Sequence, residues 1–140
     1  DRPPPAVGGP ATWLAWSVFA AAWVVLYLGT VVTGSGPHAG DAESPRNGLD
    51  PLQWSQLHAD AVFLYLGLTV GLLLCLLAVR ADRAAVRVVV LLLVAELAQG
   101  TIGFVQYFTD LPEVLVGLHM LGAAILSALT TAALLRVRHP

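Results

Sequence analysis

Four long apolar runs, at about residues 11–33, 52–79, 85–108 and 113–135, decide what this chain can fold into. Each is near the roughly 20 residues that cross a hydrocarbon layer as a helix. Lipid offers the backbone no hydrogen-bond partner, so a run of this kind must satisfy its own N–H and C=O groups, and the α-helix does so. Composition points the same way: 57% of residues are hydrophobic and 11% are charged, far from the balance of a soluble domain. The expected fold is all-α, an integral membrane four-helix bundle over residues 11–135.

The ends read differently. Residues 1–10, with Pro3-Pro4-Pro5 and Gly8-Gly9-Pro10, have the character of a linker joining this unit to something longer, and residues 136–140 that of a short cytoplasmic tail. A net charge of -2 and seven arginines spread along the chain exclude a nucleic-acid partner, which leaves membrane lipid as the partner that composition implies. The single cysteine, Cys75, excludes an internal disulfide, and no Cys-x-x-Cys-His stretch exists to attach a haem covalently.

The connections set the topology. Gly34 to Asp50 forms a polar first loop, whereas the second and third connections are only Arg80-Ala81-Asp82-Arg83 and Thr109-Asp110-Leu111-Pro112. Short connections make sequential helices antiparallel neighbours. Arg80, Arg83, Arg87, Arg136 and Arg138 fall on one side, and Arg46 stands on the other among Asp41, Glu43, Asp50, Asp110 and Glu113. The positive-inside rule then puts both termini in the cytoplasm of a multi-pass plasma-membrane protein, with the second and fourth helices running from outside inward.

On those two parallel helices His58 and His119 each stand seven residues after a proline, Pro51 and Pro112. Asp50-Pro51 has the form of an N-cap followed by proline at the first helical position, and Asp110-Leu111-Pro112 offers a similar start one residue looser. Seven residues at about 1.5 Å each put both imidazoles roughly 10 Å below the helix starts, at one depth in the outer half of the bilayer. A lone histidine on an apolar helix is commonly structural, bonded to a neighbouring carbonyl or hydroxyl. Two at matched depth are what a haem iron takes from facing helices, so the pair reads as axial ligands of a non-covalent haem b. Zinc or copper favours a third or fourth close donor. Cys75 lies about 25 Å deeper than His58, and Met120 points some 100° away from His119 around the helix.

Other residues gather around that pair. Gly122 and Ala123 follow His119 at one turn and clear a face beside it, while Glu96, Gln99, Gly100, Gly103 and Tyr107 form a stripe of small and polar residues on the third helix. The stripe suits a haem pocket or close helix packing equally well. Gln99 is placed to line a pocket, and Glu96, mid-helix, is either a hydrogen-bonded structural acid or a proton carrier. Trp54 lies one turn above His58. Arg46 is the only arginine on the outer side, a candidate partner for haem propionates, and His38 in the same loop is a candidate to assist it or to contact substrate; both read equally as solvated loop residues.

Thr33-Gly34-Ser35-Gly36-Pro37-His38-Ala39-Gly40-Asp41, Gln56-Leu57-His58-Ala59-Asp60, Gln99-Gly100-Thr101-Ile102-Gly103 and Gly117-Leu118-His119-Met120-Leu121-Gly122-Ala123, in that order, resemble the C-terminal half of bacterial haem A synthase, most like actinobacterial forms. The resemblance covers residues 11 to 135. It implies one half of a pseudo-symmetric eight-helix enzyme that oxidises the haem O methyl group to the formyl group of haem A for cytochrome oxidase assembly. In that family the C-terminal histidine pair, by position His58 and His119, is thought to hold a cofactor haem b that relays electrons. The N-terminal half is taken to house the substrate haem O and a glutamate three residues before its first histidine. Here Ser55 occupies that position, and the outer-loop cysteine pair of many N-terminal halves is missing as well. An N-terminal half or another copy would complete the enzyme. The alternative is a free-standing b-type membrane cytochrome, although no second histidine pair lies near the inner side to continue a transmembrane relay.

Overall fold

The computed structural model describes residues 9–37 and 43–138, and every regular element among them is an α-helix. Helix α1 spans Gly9–Ser35, α2 Pro51–Ala78, α3 Arg83–Phe108 and α4 Glu113–Arg138. All four are long and apolar enough to cross a membrane. At 1.5 Å per residue each is about 40 Å long, enough for the hydrocarbon layer and part of both interfaces.

Two boundaries differ from the sequence reading. Helix α1 already includes Gly9 and Pro10, assigned above to the linker, because proline is tolerated in a first turn where its missing N–H has no partner to lose. Helix α4 continues through Arg136 and Arg138, assigned above to the tail; cations in a last turn complement the carbonyl end of the helix.

The helix ends show how sequence sets the topology. Asp50 caps α2 by accepting from the Leu52 N–H at 2.9 Å, with Pro51 as the first helical residue. Asp82 caps α3 in the same way through the Ala84 N–H at 2.9 Å. Asp110 does not cap α4. It takes a left-handed φ of 58° and closes α3, with the Leu111 N–H reaching back to the Gln106 carbonyl at 2.8 Å, so that α4 opens with the Val116 N–H bonded to the Pro112 carbonyl at 3.1 Å.

Each helix packs against its sequence neighbours, and α1 closes the ring against α4. The backbones of the diagonal pairs, α1 with α3 and α2 with α4, do not pack together. Helices α2 and α4 therefore face one another across the interior, running in the same direction.

The core occupies one end of this ring. Ala11, Ala15 and Val18 of α1, Leu72 and Leu76 of α2, Val89 and Leu92 of α3, and Ala133 and Val137 of α4 are all buried, and all lie toward the α2–α3 connection. A polar layer covers this core. Thr69 donates to Glu96 at 2.7 Å between α2 and α3, and Tyr65 pairs with Thr130 across the α2–α4 diagonal. Between that layer and the α1–α2 loop, only Val25, Leu28 and Gly122 are buried among the described residues.

The polar layer predicts a specific sensitivity. Thr69→Val removes the donor to Glu96, whose second carboxyl oxygen already has no hydrogen-bond partner, and should destabilise the bundle by about 1–3 kcal/mol. Thermal unfolding in detergent should show a lower midpoint, with Thr101→Val, whose exposed hydroxyl bonds only to its own helix, left unchanged. Equal midpoints for the two variants would contradict the assignment.

Candidate functional site

Each histidine of the pair rests on a glycine of the adjacent antiparallel helix. A methyl group placed on Gly29 of α1 would lie 3.3 Å from Cε1 and 3.8 Å from Nδ1 of His58. One placed on Gly103 of α3 would lie 3.4 Å and 4.0 Å from the same two atoms of His119. The imidazole edge thus meets bare helix backbone in both cases, and a side chain longer than a methyl group would run into the ring. Helix pairs α1–α2 and α3–α4 repeat one device, with the glycine helix first and the histidine helix second.

This seating distinguishes the two nitrogens of each ring. Nδ1 of His58 and Nδ1 of His119 are both buried without a hydrogen bond. The Val25 carbonyl, one turn below Gly29, lies near the His58 ring without reaching Nδ1 in bonding geometry. Neither Nε2 is sealed in this way or bonded to a described residue, so Nε2 is the nitrogen each ring can offer to a ligand. Along their helices His58 stands about 10 Å from Tyr65 and His119 about 16 Å from Thr130, both toward the α1–α2 loop, where Val25 and Leu28 are the buried apolar side chains among the described residues.

The remaining candidates separate by position. Gln99 projects into the notch at Gly122, where a Cβ would collide with its amide. The room left by Gly122 is taken by Gln99, which joins α3 to α4 one turn below His119. Gly103 is the seat of His119, whereas a Cβ placed on Gly100 would meet open space. The stripe on α3 therefore divides: Gly103, Gln99 and Glu96 face the interior, and Gly100 does not. Trp54, half-buried, stands one turn above His58 on α2. Arg46 holds its own loop, donating to the Pro37 carbonyl at 2.9 Å and the Ser44 carbonyl at 3.3 Å. His38 lies outside the described residues.

Sequence reading missed two residues. Gly29 is the only glycine in the middle of α1, a signal that could have marked it, but nothing in the sequence said which side chain it admits. Asn47 closes the end of α1, its side chain donating to the Val31 carbonyl at 2.9 Å and its N–H to the Gly34 carbonyl at 3.0 Å.

Among the described residues no three metal-ligating side chains converge. Two imidazoles match an iron whose four other positions are filled by a macrocycle. Met120 is 63% exposed on the far side of α4 and belongs to no such set. No protein-family model matches the chain, and no curated protein or solved structure resembles it significantly.

The glycine seats yield a comparison within one protein. Gly29→Leu and Gly103→Leu should each destabilise the bundle by about 1–3 kcal/mol through overpacking against the imidazole, while Gly100→Leu, at an open position, should be close to neutral. Thermal midpoints in detergent measure the difference; a Gly100 variant as damaging as the other two would remove the special standing of the seats.

Proposed function

We propose that this chain binds one haem b between His58 and His119 and forms the cofactor-haem half of a haem A synthase. One observation carries the haem reading: two imidazoles on parallel, diagonally opposed helices, each edge seated on a glycine, each with Nδ1 buried and Nε2 available. That donor set fits a bis-histidine haem. When bound, the haem supplies one-electron transfer.

The chain's own residues do the rest. Gly29 and Gly103 set the approach of the rings, and His58 and His119 would hold the iron. Tyr65, Thr69, Glu96 and Thr130 separate the site from the apolar core with a layer of mutually bonded groups. The apolar helix surfaces keep water from the ligands, which raises the strength of every charge interaction within.

The assignment to haem A synthase rests on the four sequence segments given above. It accounts for Ser55 standing where the other half of such an enzyme carries a glutamate: oxidation of haem O would take place in an N-terminal half or another copy, and this unit would pass on the electrons. The same reading sets the protein in the plasma membrane with both termini cytoplasmic.

Purified from haem-replete cells, the chain should give a b-type reduced-minus-oxidised spectrum that His58→Ala or His119→Ala abolishes. Co-expression with a glutamate-bearing N-terminal half should yield haem A on chromatography of extracted haems, and the chain alone should yield none. A colourless wild-type protein would refute the haem site; haem A from this chain alone would refute the division of labour.

A further inference from the structure

The end of the bundle farthest from the histidines holds a cleft of about 280 Å³, walled by Leu76 and Leu77 of α2 and Val86 of α3, and lined by three arginines, Arg80, Arg83 and Arg87. All three are exposed, and none forms an ion pair with a described residue. The one nearby acid, Asp82, is engaged in capping α3 through the Ala84 N–H. The cleft is therefore cationic at its mouth and apolar along its walls.

Two of these arginines occupy positions that local preference disfavours. Arg80 ends α2 at a φ of 51°, with its N–H bonded to the Leu77 carbonyl and the next N–H bonded to the Leu76 carbonyl. Glycine is the usual residue at this point of a helix end, because a side chain is strained there. Arg83 stands in the first turn of α3, where the free N–H groups already carry positive charge and an acidic residue would be favoured. Orientation by positive charge explains arginines somewhere in the connection, but Ala81, with an ordinary φ, offered an unstrained place for one. An anion in the cleft would offset both penalties without relieving the backbone strain itself, because it meets the Arg80 and Arg83 guanidinium groups together.

We infer that this cleft binds the headgroup phosphate of an anionic phospholipid. The lipid source follows from location and walls: the connection lies at the membrane boundary, and exposed Leu77 with part-exposed Val86 continues as apolar surface into the spans, where acyl chains run. The three guanidinium groups take the phosphodiester, and their fixed planar forks make arginine better suited to this than lysine. The inference does not depend on the haem reading, since the two sites stand at opposite ends of the bundle.

The test uses the full chain in neutral detergent. Short-chain phosphatidylglycerol should raise its thermal midpoint, while phosphatidylcholine of the same chain length and inorganic phosphate at the same concentration should not. Arg80→Gly should keep or raise the lipid-free midpoint, because glycine suits the left-handed position, and should weaken the phosphatidylglycerol response roughly tenfold in concentration. Arg83→Gln combined with Arg87→Gln should weaken it further. An equal response to phosphatidylcholine, an equal response to inorganic phosphate, or an Arg80→Gly protein that responds like wild type would each overturn the inference.

Discussion

The closeness of an imidazole edge to bare helix backbone governs the rest of this molecule. Gly29 and Gly103 let His58 and His119 press into the seams between antiparallel helices at 3.3–3.4 Å from where a side chain would begin. That contact fixes which nitrogen is hidden and which is offered. It also requires that each histidine helix keep its own glycine helix beside it, which the two hairpin-like pairs α1–α2 and α3–α4 provide. The bundle is thus two copies of one device, closed face to face so that their histidine helices lie diagonally.

Such a device needs rigid support without being buried by it. The close-packed end, with Leu72, Leu76, Val89 and Leu92 fully buried, anchors all four helices, whereas at the histidine end Val25 and Leu28 are the buried apolar side chains among the described residues. Burying polar groups in lipid is costly unless they bond to one another, and the layer of Tyr65, Thr69, Glu96 and Thr130 meets that condition largely within itself. Its pairings span α2, α3 and α4, so it ties the diagonal helices together at the level where the apolar core stops. The close-packed core and the histidine pair thus lie at opposite ends of the bundle.

Much of this was legible in the residues. Span number and antiparallel order follow from apolar run length and short connections, because membrane helices have few alternatives and a fixed rise. Contacts between helices were not legible. Gly29 is one small residue in an apolar run, and only the rotation of α1 against α2 turns it toward His58. Gly122 read as cleared space because sequence shows the missing side chain and not the Gln99 amide that fills its place. Asp110 read as a cap for α4 because an acid before a proline has that form, whereas two left-handed residues in succession assign it to the end of α3. Gly100 and Gly103 looked alike in one stripe, and a rotation of about 60° between positions three apart separates them in space.

Electron paramagnetic resonance of the oxidised, purified chain examines the paired-imidazole site most directly. Two nitrogen ligands from His58 and His119 on one iron predict a low-spin ferric haem signal at a stoichiometry near one per chain. A high-spin signal, the mark of an iron with an open or water-filled axial position, or a protein that retains no haem at all, would contradict it.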